Sequence, residues 1–189
     1  DLLDLCPVAP YGGPFFTEAI LHPDLFKLPY FPEMLIVCRS NLLMTCANAD
    51  AMADALKKIP FVVAFATELN ETAEFADLLL PDTHYLERLD AIPNEPTEFV
   101  AAGQGPWYWM VRQPVVPPMG EARHWVDVLF ELADRAGFRG DLYTLLNGTL
   151  ELKEPFAYKP ADKYTWDELA DRWMKSWFGA DRGLGWFKE

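Results

Sequence analysis

Two short, continuous apolar runs stand out between Met34 and Asp90, where the chain reads MLIVCRSNLLMTCANADAMADALKKIPFVVAFATELNETAEFADLLLPDTHYLERLD. Met34 to Cys38 runs into Arg39, Ser40 and Asn41, and Phe61 to Ala66 runs into Thr67, Glu68 and Asn70. Runs this short, bounded by polar residues, predict strands buried within a sheet. Between them Met52, Ala55, Leu56 and Ile59 recur at helical spacing, with Asn48 or Thr45 as cap and Pro60 as stop. Leu78-Leu79-Leu80, ended by Pro81, predicts a third parallel strand, and Thr72 to Ala76 a turn or two of helix before it. The succession predicts an α/β fold: a doubly wound, mostly parallel, Rossmann-like sheet flanked by helices, with long irregular loops. Ligands of such sheets sit outside the carboxyl ends of the strands.

Elsewhere the period changes. The first 33 residues are broken by Pro and Gly (Pro7, Pro10, Gly12, Gly13, Pro14, Pro23, Pro29, Pro32), which leaves room for one short helix near Thr17 to Leu21. Leu89 to Pro118 is rich in Pro, Gly and aromatic residues and predicts an ordered loop, with Tyr108 to Val111 as a short strand. An amphipathic helix is expected from about Glu121 to Ala136, its stripe formed by Trp125, Val128, Leu129, Leu132 and Ala133 and its stop by Gly137. Another is expected over Trp166 to Phe178, with Thr165 and Glu168 placed as a capping box. The charged stretch 151–163 between them is expected to be mobile, and Gly183-Leu184-Gly185-Trp186 to be a turn. The expected division is an irregular segment 1–33, an α/β domain 34–150, and a linker with C-terminal helix, 151–189, leading into a further domain.

Composition narrows the function classes. With 189 residues and 51% hydrophobic content the chain can bury one substantial core. A formal charge of -13 argues against a nucleic-acid partner, which requires clustered Lys and Arg. No apolar run approaches the roughly 20 residues of a membrane span, so direct membrane insertion is not expected. The opening at Asp1, without a leader-like succession, reads as the start of a piece of a longer chain. Cys6, Cys38 and Cys46 include no CxxC pair, and His22 and His124 have no partners at metal-ligand spacing, so neither an iron-sulfur nor a zinc site is expected within these residues. GxGxxG, GxxxxGK[ST] and GxSxG are all missing from the sequence.

Candidate chemistry gathers at the strand ends. Arg39, Ser40 and Asn41, small or cationic groups just before a helix, suit a phosphate or a purine edge. The alternative is a turn in which Ser40 and Asn41 satisfy local backbone donors. Thr67, Glu68, Glu71 and Thr72 form a second polar turn, where Thr67 or Asn70 equally serves as a cap. His84 is open as a base or as a structural hydrogen-bonding residue, Glu87 and Arg88 as ion pairs or caps. Trp107-Tyr108-Trp109 either stacks on a flat ligand or fills a core.

The strand ending in Ser40-Asn41, the helix and second strand after it, then Glu71-Thr72-Ala73, Ala76-Asp77-Leu78-Leu79-Leu80-Pro81 and Tyr85-Leu86-Glu87-Arg88, together resemble the molybdopterin oxidoreductase family of the dimethyl sulfoxide reductase type. The likeness is strongest with the thiosulfate and polysulfide reductase branch. Arg112-Gln113-Pro114-Val115-Val116 and Val128-Leu129-Phe130-Glu131-Leu132-Ala133 extend it, so it covers roughly residues 30 to 138. The resemblance implies a fragment of a catalytic subunit, the domain that binds one of two pyranopterin guanine dinucleotides carrying Mo or W. It implies cofactor contacts at Arg39, Ser40, Asn41, Thr67, Glu68, Glu71 and Thr72, with Glu68 and Glu71 accepting from a guanine edge, and no catalytic residue or metal ligand among the 189. One position departs from the pattern: relatives often carry an acid where this chain has Ala66, so either Glu68 replaces it or that contact is lost. The implied partners are an iron-sulfur cluster outside this segment, other domains of the same chain and an iron-sulfur electron-transfer subunit. A periplasmic or membrane-associated complex is favoured by the resemblance, with the cytoplasm open. The competing readings are an α/β interaction module without cofactor and a tungsten-type hydratase.

Overall fold

The computed structural model of the protein describes residues 16–94 and 108–188. The chain divides into two compact units at Asp82 and Thr83, a division that falls inside the stretch 34–150 grouped above as one domain.

In the first unit, α1 (Phe16–Leu21) and the single turn α2 (Pro23–Phe26) precede β1 (Leu35–Cys38). Next come the one-turn α3 (Leu42–Thr45), α4 (Ala49–Lys58), β2 (Val62–Ala66), a 3₁₀ turn at Ala73–Phe75 and β3 (Leu78–Pro81). The three strands form a parallel sheet in the order β1-β2-β3, with Cys38 opposite Phe65 and Ala66 opposite Pro81. The central position of β2 explains its unbroken apolar run, since Val62 to Phe65 are all buried. Ile20, Val37, Ala55, Ile59 and Val62 form the core between α1, α4 and one face of the sheet, each buried Ile or Val side chain contributing about 1.5–3 kcal/mol. Asn48, in the left-handed region at φ 61°, caps α4 by accepting from the Ala51 N–H at 3.2 Å. The α/β expectation therefore holds, with a parallel sheet of three strands flanked by helices.

In the second unit, β4 (Asp90–Asn94) and β5 (Tyr108–Arg112) pair antiparallel, Asp90 opposite Arg112 and Pro93 opposite Trp109. The sequence pattern assigns 90–94 to loop because of Pro93, but in a two-stranded ladder both strands are edges and tolerate a residue without an N–H. Four helices follow: α5 (Trp125–Arg135), α6 (Arg139–Thr149), α7 (Trp166–Phe178) and α8 (Leu184–Lys188). Helix α5 begins at Trp125 rather than Glu121, and its buried residues are Val126 and Ala133, while Leu132 is 43% exposed. Gly137, at φ 83°, ends it as expected: its N–H reaches the Asp134 carbonyl and the Phe138 N–H the Ala133 carbonyl. Thr165 and Glu168 form the expected capping box of α7.

Three features of this unit differ from the sequence reading. Helix α6 has no counterpart in the elements that the sequence pattern predicts. The stretch 151–163 is irregular but anchored, because Asn147 bonds both the N–H (2.8 Å) and the carbonyl (2.9 Å) of Tyr158, whose ring is buried. The residues read as a terminal turn form α8, where Leu184 and Phe187 pack with Leu89, Ala91, Ala170 and Met174. Gly183 lies close against the Asp171 carboxylate, which accepts from the Leu184 N–H at 2.9 Å, so a Cβ there would displace that side chain.

Candidate functional site

Two adjacent parallel strands end on the same side, so the turns that follow β1 and β2 lie at one edge of the sheet. Arg39 takes the left-handed conformation, φ 57°, and turns the chain out of β1 toward α3. Asn41 then links the two turns. Its Nδ2 donates to Glu71 Oε2 at 2.6 Å, and its Oδ1 accepts from Thr72 Oγ1 at 2.9 Å. Thr72 Oγ1 in turn accepts from the Leu43 N–H at 3.2 Å, at the start of α3. The Asn41 carbonyl accepts from the Thr45 hydroxyl at 2.9 Å, and Asn70 caps the 3₁₀ turn through the Ala73 N–H at 3.0 Å.

This arrangement sorts the seven sequence candidates. Thr72 is 1% exposed and its hydroxyl is engaged in both directions, so it stands behind the edge and holds the Asn41 side chain in place. Glu71 is solvent-exposed and the Asn41 amide lowers its pKa, which keeps it ionised. Among the described residues, Arg39, Ser40, Thr67 and Glu68 take no part in this network. Arg39, Thr67 and Glu68 are exposed and Ser40 is half-buried. The edge thus presents a guanidinium and a hydroxyl from one turn, and a hydroxyl and two carboxylates from the other.

Two residues outside these seven candidates also lie at this edge. The Asp82 N–H donates to the Ala66 carbonyl at 3.0 Å, which brings Asp82, 5% exposed, to the same edge. Cys38, at the end of β1, is half-buried with a free thiol; burial first, and then the Asp82 charge, push its pKa up, so it is a thiol at neutral pH. The signal for Asp82 was the third strand, whose register carries it to the carboxyl edge; Cys38 is the last residue of β1. His84 is exposed, its Nδ1 accepts from the Leu86 N–H at 3.4 Å and its backbone N–H is held by Glu87 at 2.9 Å, a structural arrangement. Trp107 and Gly103-Gln104-Gly105 lie outside the described residues. Among those described, no cluster of His, Cys, Asp and Glu is placed to hold a metal ion, and no helix is long and apolar enough to cross a membrane.

Residues 24–135, most of the first unit and the start of the second, match the family model of the molybdopterin oxidoreductases. The chain belongs to the molybdopterin oxidoreductase family. It is 46% identical over 80 residues to a sulfite dehydrogenase polypeptide of Allochromatium vinosum, covering 41% of this chain and 8% of that protein. It is 31% identical over 130 residues to the molybdopterin-containing subunit of thiosulfate reductase from Salmonella typhimurium, covering 69% and 16%. Among solved structures it is similar to acetylene hydratase from Pelobacter acetylenicus, with a TM-score of 0.53 and 28% identity over 70% of this chain and 17% of that one. The chain of this molybdopterin oxidoreductase family member therefore spans well under a fifth of the length of these proteins. The thiosulfate reductase relative agrees with the branch that the sequence pattern resembles.

Proposed function

We propose that the carboxyl edge of the parallel sheet holds one of two pyranopterin guanine dinucleotides in a longer, molybdenum- or tungsten-dependent oxidoreductase subunit. The observation that carries this reading is the bonded set Asn41, Thr72 and Glu71, which fixes two strand-end turns side by side, where ligands of parallel sheets bind. The residues present suit the group. Arg39 offers a fork of donors for a phosphate. Ser40 and Thr67 offer hydroxyls, and Glu68 offers an acceptor for the N1–H and amino edge of guanine, the role left vacant by Ala66. Asn41 and Thr72 are positioning residues, and Glu71 is the carboxylate they orient. When bound, the group supplies two-electron redox chemistry at its metal, on an oxygen- or sulfur-centred substrate. This chain's own part is to fix one pterin arm and exclude water from it. An iron-sulfur cluster and an electron-transfer subunit belong to the same proposal.

The double variant Arg39→Ala with Glu68→Gln tests it in the protein with its entire chain. Guanine nucleotide released by acid hydrolysis, and Mo or W per chain, are expected to fall at least roughly tenfold, as the loss of two charge-assisted contacts implies, in a variant whose circular dichroism shows it folded. Wild-type content in a folded variant would place the cofactor elsewhere. The likeness to acetylene hydratase favours one second reading, a hydratase built on the same cofactor. Retained pterin and metal without reduction of the metal by an electron donor during turnover would select it.

A further inference from the structure

Arg39 stands apart from the other arginines of the chain. Each of those meets a carboxylate or lies over an aromatic ring. Arg39 is exposed and has no such partner among the described residues. With 29 Asp and Glu against 16 Lys and Arg in the chain, an unpaired guanidinium is the exception. Carboxylates stand on the neighbouring turn, yet Glu68 makes no ion pair with it and Glu71 takes the neutral Asn41 amide at 2.6 Å. The register of β1 on β2, Cys38 opposite Phe65, sets Arg39 beside Ala66, which brings no charge either.

The backbone of Arg39 is a second, independent anomaly. At φ 57° it lies in the left-handed region, where an L side chain is strained and Gly or Asn is at home. The other described non-glycine residues with positive φ serve helix ends: Lys27 closes α2, Asn48 caps α4, and Glu151 follows α6. Arg39 follows a strand, and the cap of α3 is Asn41. A strained backbone carrying an unspent guanidinium, at the edge where ligands of parallel sheets bind, points to an anion from outside the protein. A bare anion would be repelled by Glu68 and Glu71, so the occupant bears N–H donors at one end and the anion at the other. A guanine nucleotide has that division. The edge is also formed by the protein's own bonds, Asn41 to Glu71 at 2.6 Å, Thr72 to Asn41 at 2.9 Å and Leu43 to Thr72 at 3.2 Å, so it needs no ligand to assemble it.

Resting on the cofactor reading, we propose that the edge recognises the nucleotide half of its ligand independently of the pterin: it binds free guanosine diphosphate, and Arg39 selects the phosphorylated nucleoside over the bare one. The test uses the protein with its entire chain, made in a host that synthesises no pyranopterin and shown to be folded by circular dichroism. Guanosine diphosphate is titrated calorimetrically, with guanosine as the control lacking phosphate. One saturable site is expected for the diphosphate, and binding of guanosine weaker by roughly tenfold or more, the scale of charge-assisted hydrogen bonds to phosphate. Arg39→Asn, which the left-handed turn accepts, lowers the affinity for the diphosphate to that for guanosine. Arg39→Lys recovers only part of it, because an ammonium keeps the charge without the fork. Should Arg39→Asn fail to fold, the guanosine and Arg39→Lys comparisons decide. No saturable binding of the diphosphate, equal binding of guanosine, or undiminished affinity in Arg39→Asn overturns the proposal. A cofactor-free protein that is unfolded, and that guanosine diphosphate does not fold, overturns it as well. Each of these outcomes leaves the cofactor reading to its own test, the nucleotide and metal content of the loaded protein.

Discussion

Thr72 occupies a point where a single methyl-for-hydroxyl exchange would separate two turns. Its Oγ1 is the acceptor for one backbone N–H and the donor to one side chain, and it is buried. Thr72→Val keeps the volume and leaves the Leu43 N–H and Asn41 Oδ1 unmet, so it is expected to destabilise the protein by about 1–3 kcal/mol in urea unfolding, whereas Thr72→Ser restores most of that. Asp90 is the other residue whose surroundings decide its behaviour. Burial alone would raise its pKa, but His124, Arg88 and Arg112 together hold it well below the usual carboxylate range. The folded-state pKa is thus depressed, so the stabilisation is present above the unfolded value of about 3.9 and is lost as pH falls through and below it. Asp90→Asn is expected to lower stability at neutral pH and to flatten the acid limb of the stability profile; an acid limb of unchanged slope would contradict this. Asn41 and Thr72 were both legible as polar residues at strand ends, but the bond between them spans 31 positions and no local pattern encodes it. Asp90, Arg88, Arg112 and His124 were less legible still, because isolated charges in separate segments read as a solvated surface until the β4–β5 pairing brings them together.

At the level of elements, punctuation carried most of what could be read. Asn48, Gly137 and the Thr165/Glu168 pair each specify a helix end by chemistry that is local in sequence, and each appears in the structure. Gly137→Ala meets no steric obstacle, yet must hold φ 83°; it is expected to cost about 1 kcal/mol through backbone strain alone, read as a lowered melting temperature. Thr165→Ala removes the cap of α7 and is expected to cost about 1 kcal/mol as well. Helix α6 was illegible for the opposite reason: Gly140, Asn147 and Gly148 dilute its apolar stripe, and its fold depends on Tyr143 packing with Tyr158 and Leu169 from outside the helix. Strand β4 was hidden by Pro93, and α8 by Gly183 and Gly185, one of which lies close against a carboxylate rather than in a turn.

For the whole molecule, the apolar side chains left open on the first unit are consistent with its being one part of a larger protein. Ile36, Leu78 and Leu79, on the outer strands of the sheet, are 39%, 44% and 39% exposed. The relatives are many times longer than this chain. The resemblance supplied the family, and the alternation of strand and helix supplied the parallel sheet; neither could show which polar residues face outward and which are locked behind the edge. The central claim is that a pyranopterin guanine dinucleotide rests on that edge, and its most direct test is the content of guanine nucleotide, molybdenum and tungsten in the protein purified with its entire chain from its source. The account predicts about two guanine nucleotides and one Mo or W per chain, the stoichiometry of a bis(pyranopterin) site. A folded, intact protein with neither metal nor guanine nucleotide would contradict it, and would leave the Asn41 and Thr72 turns as ordinary starts of helices.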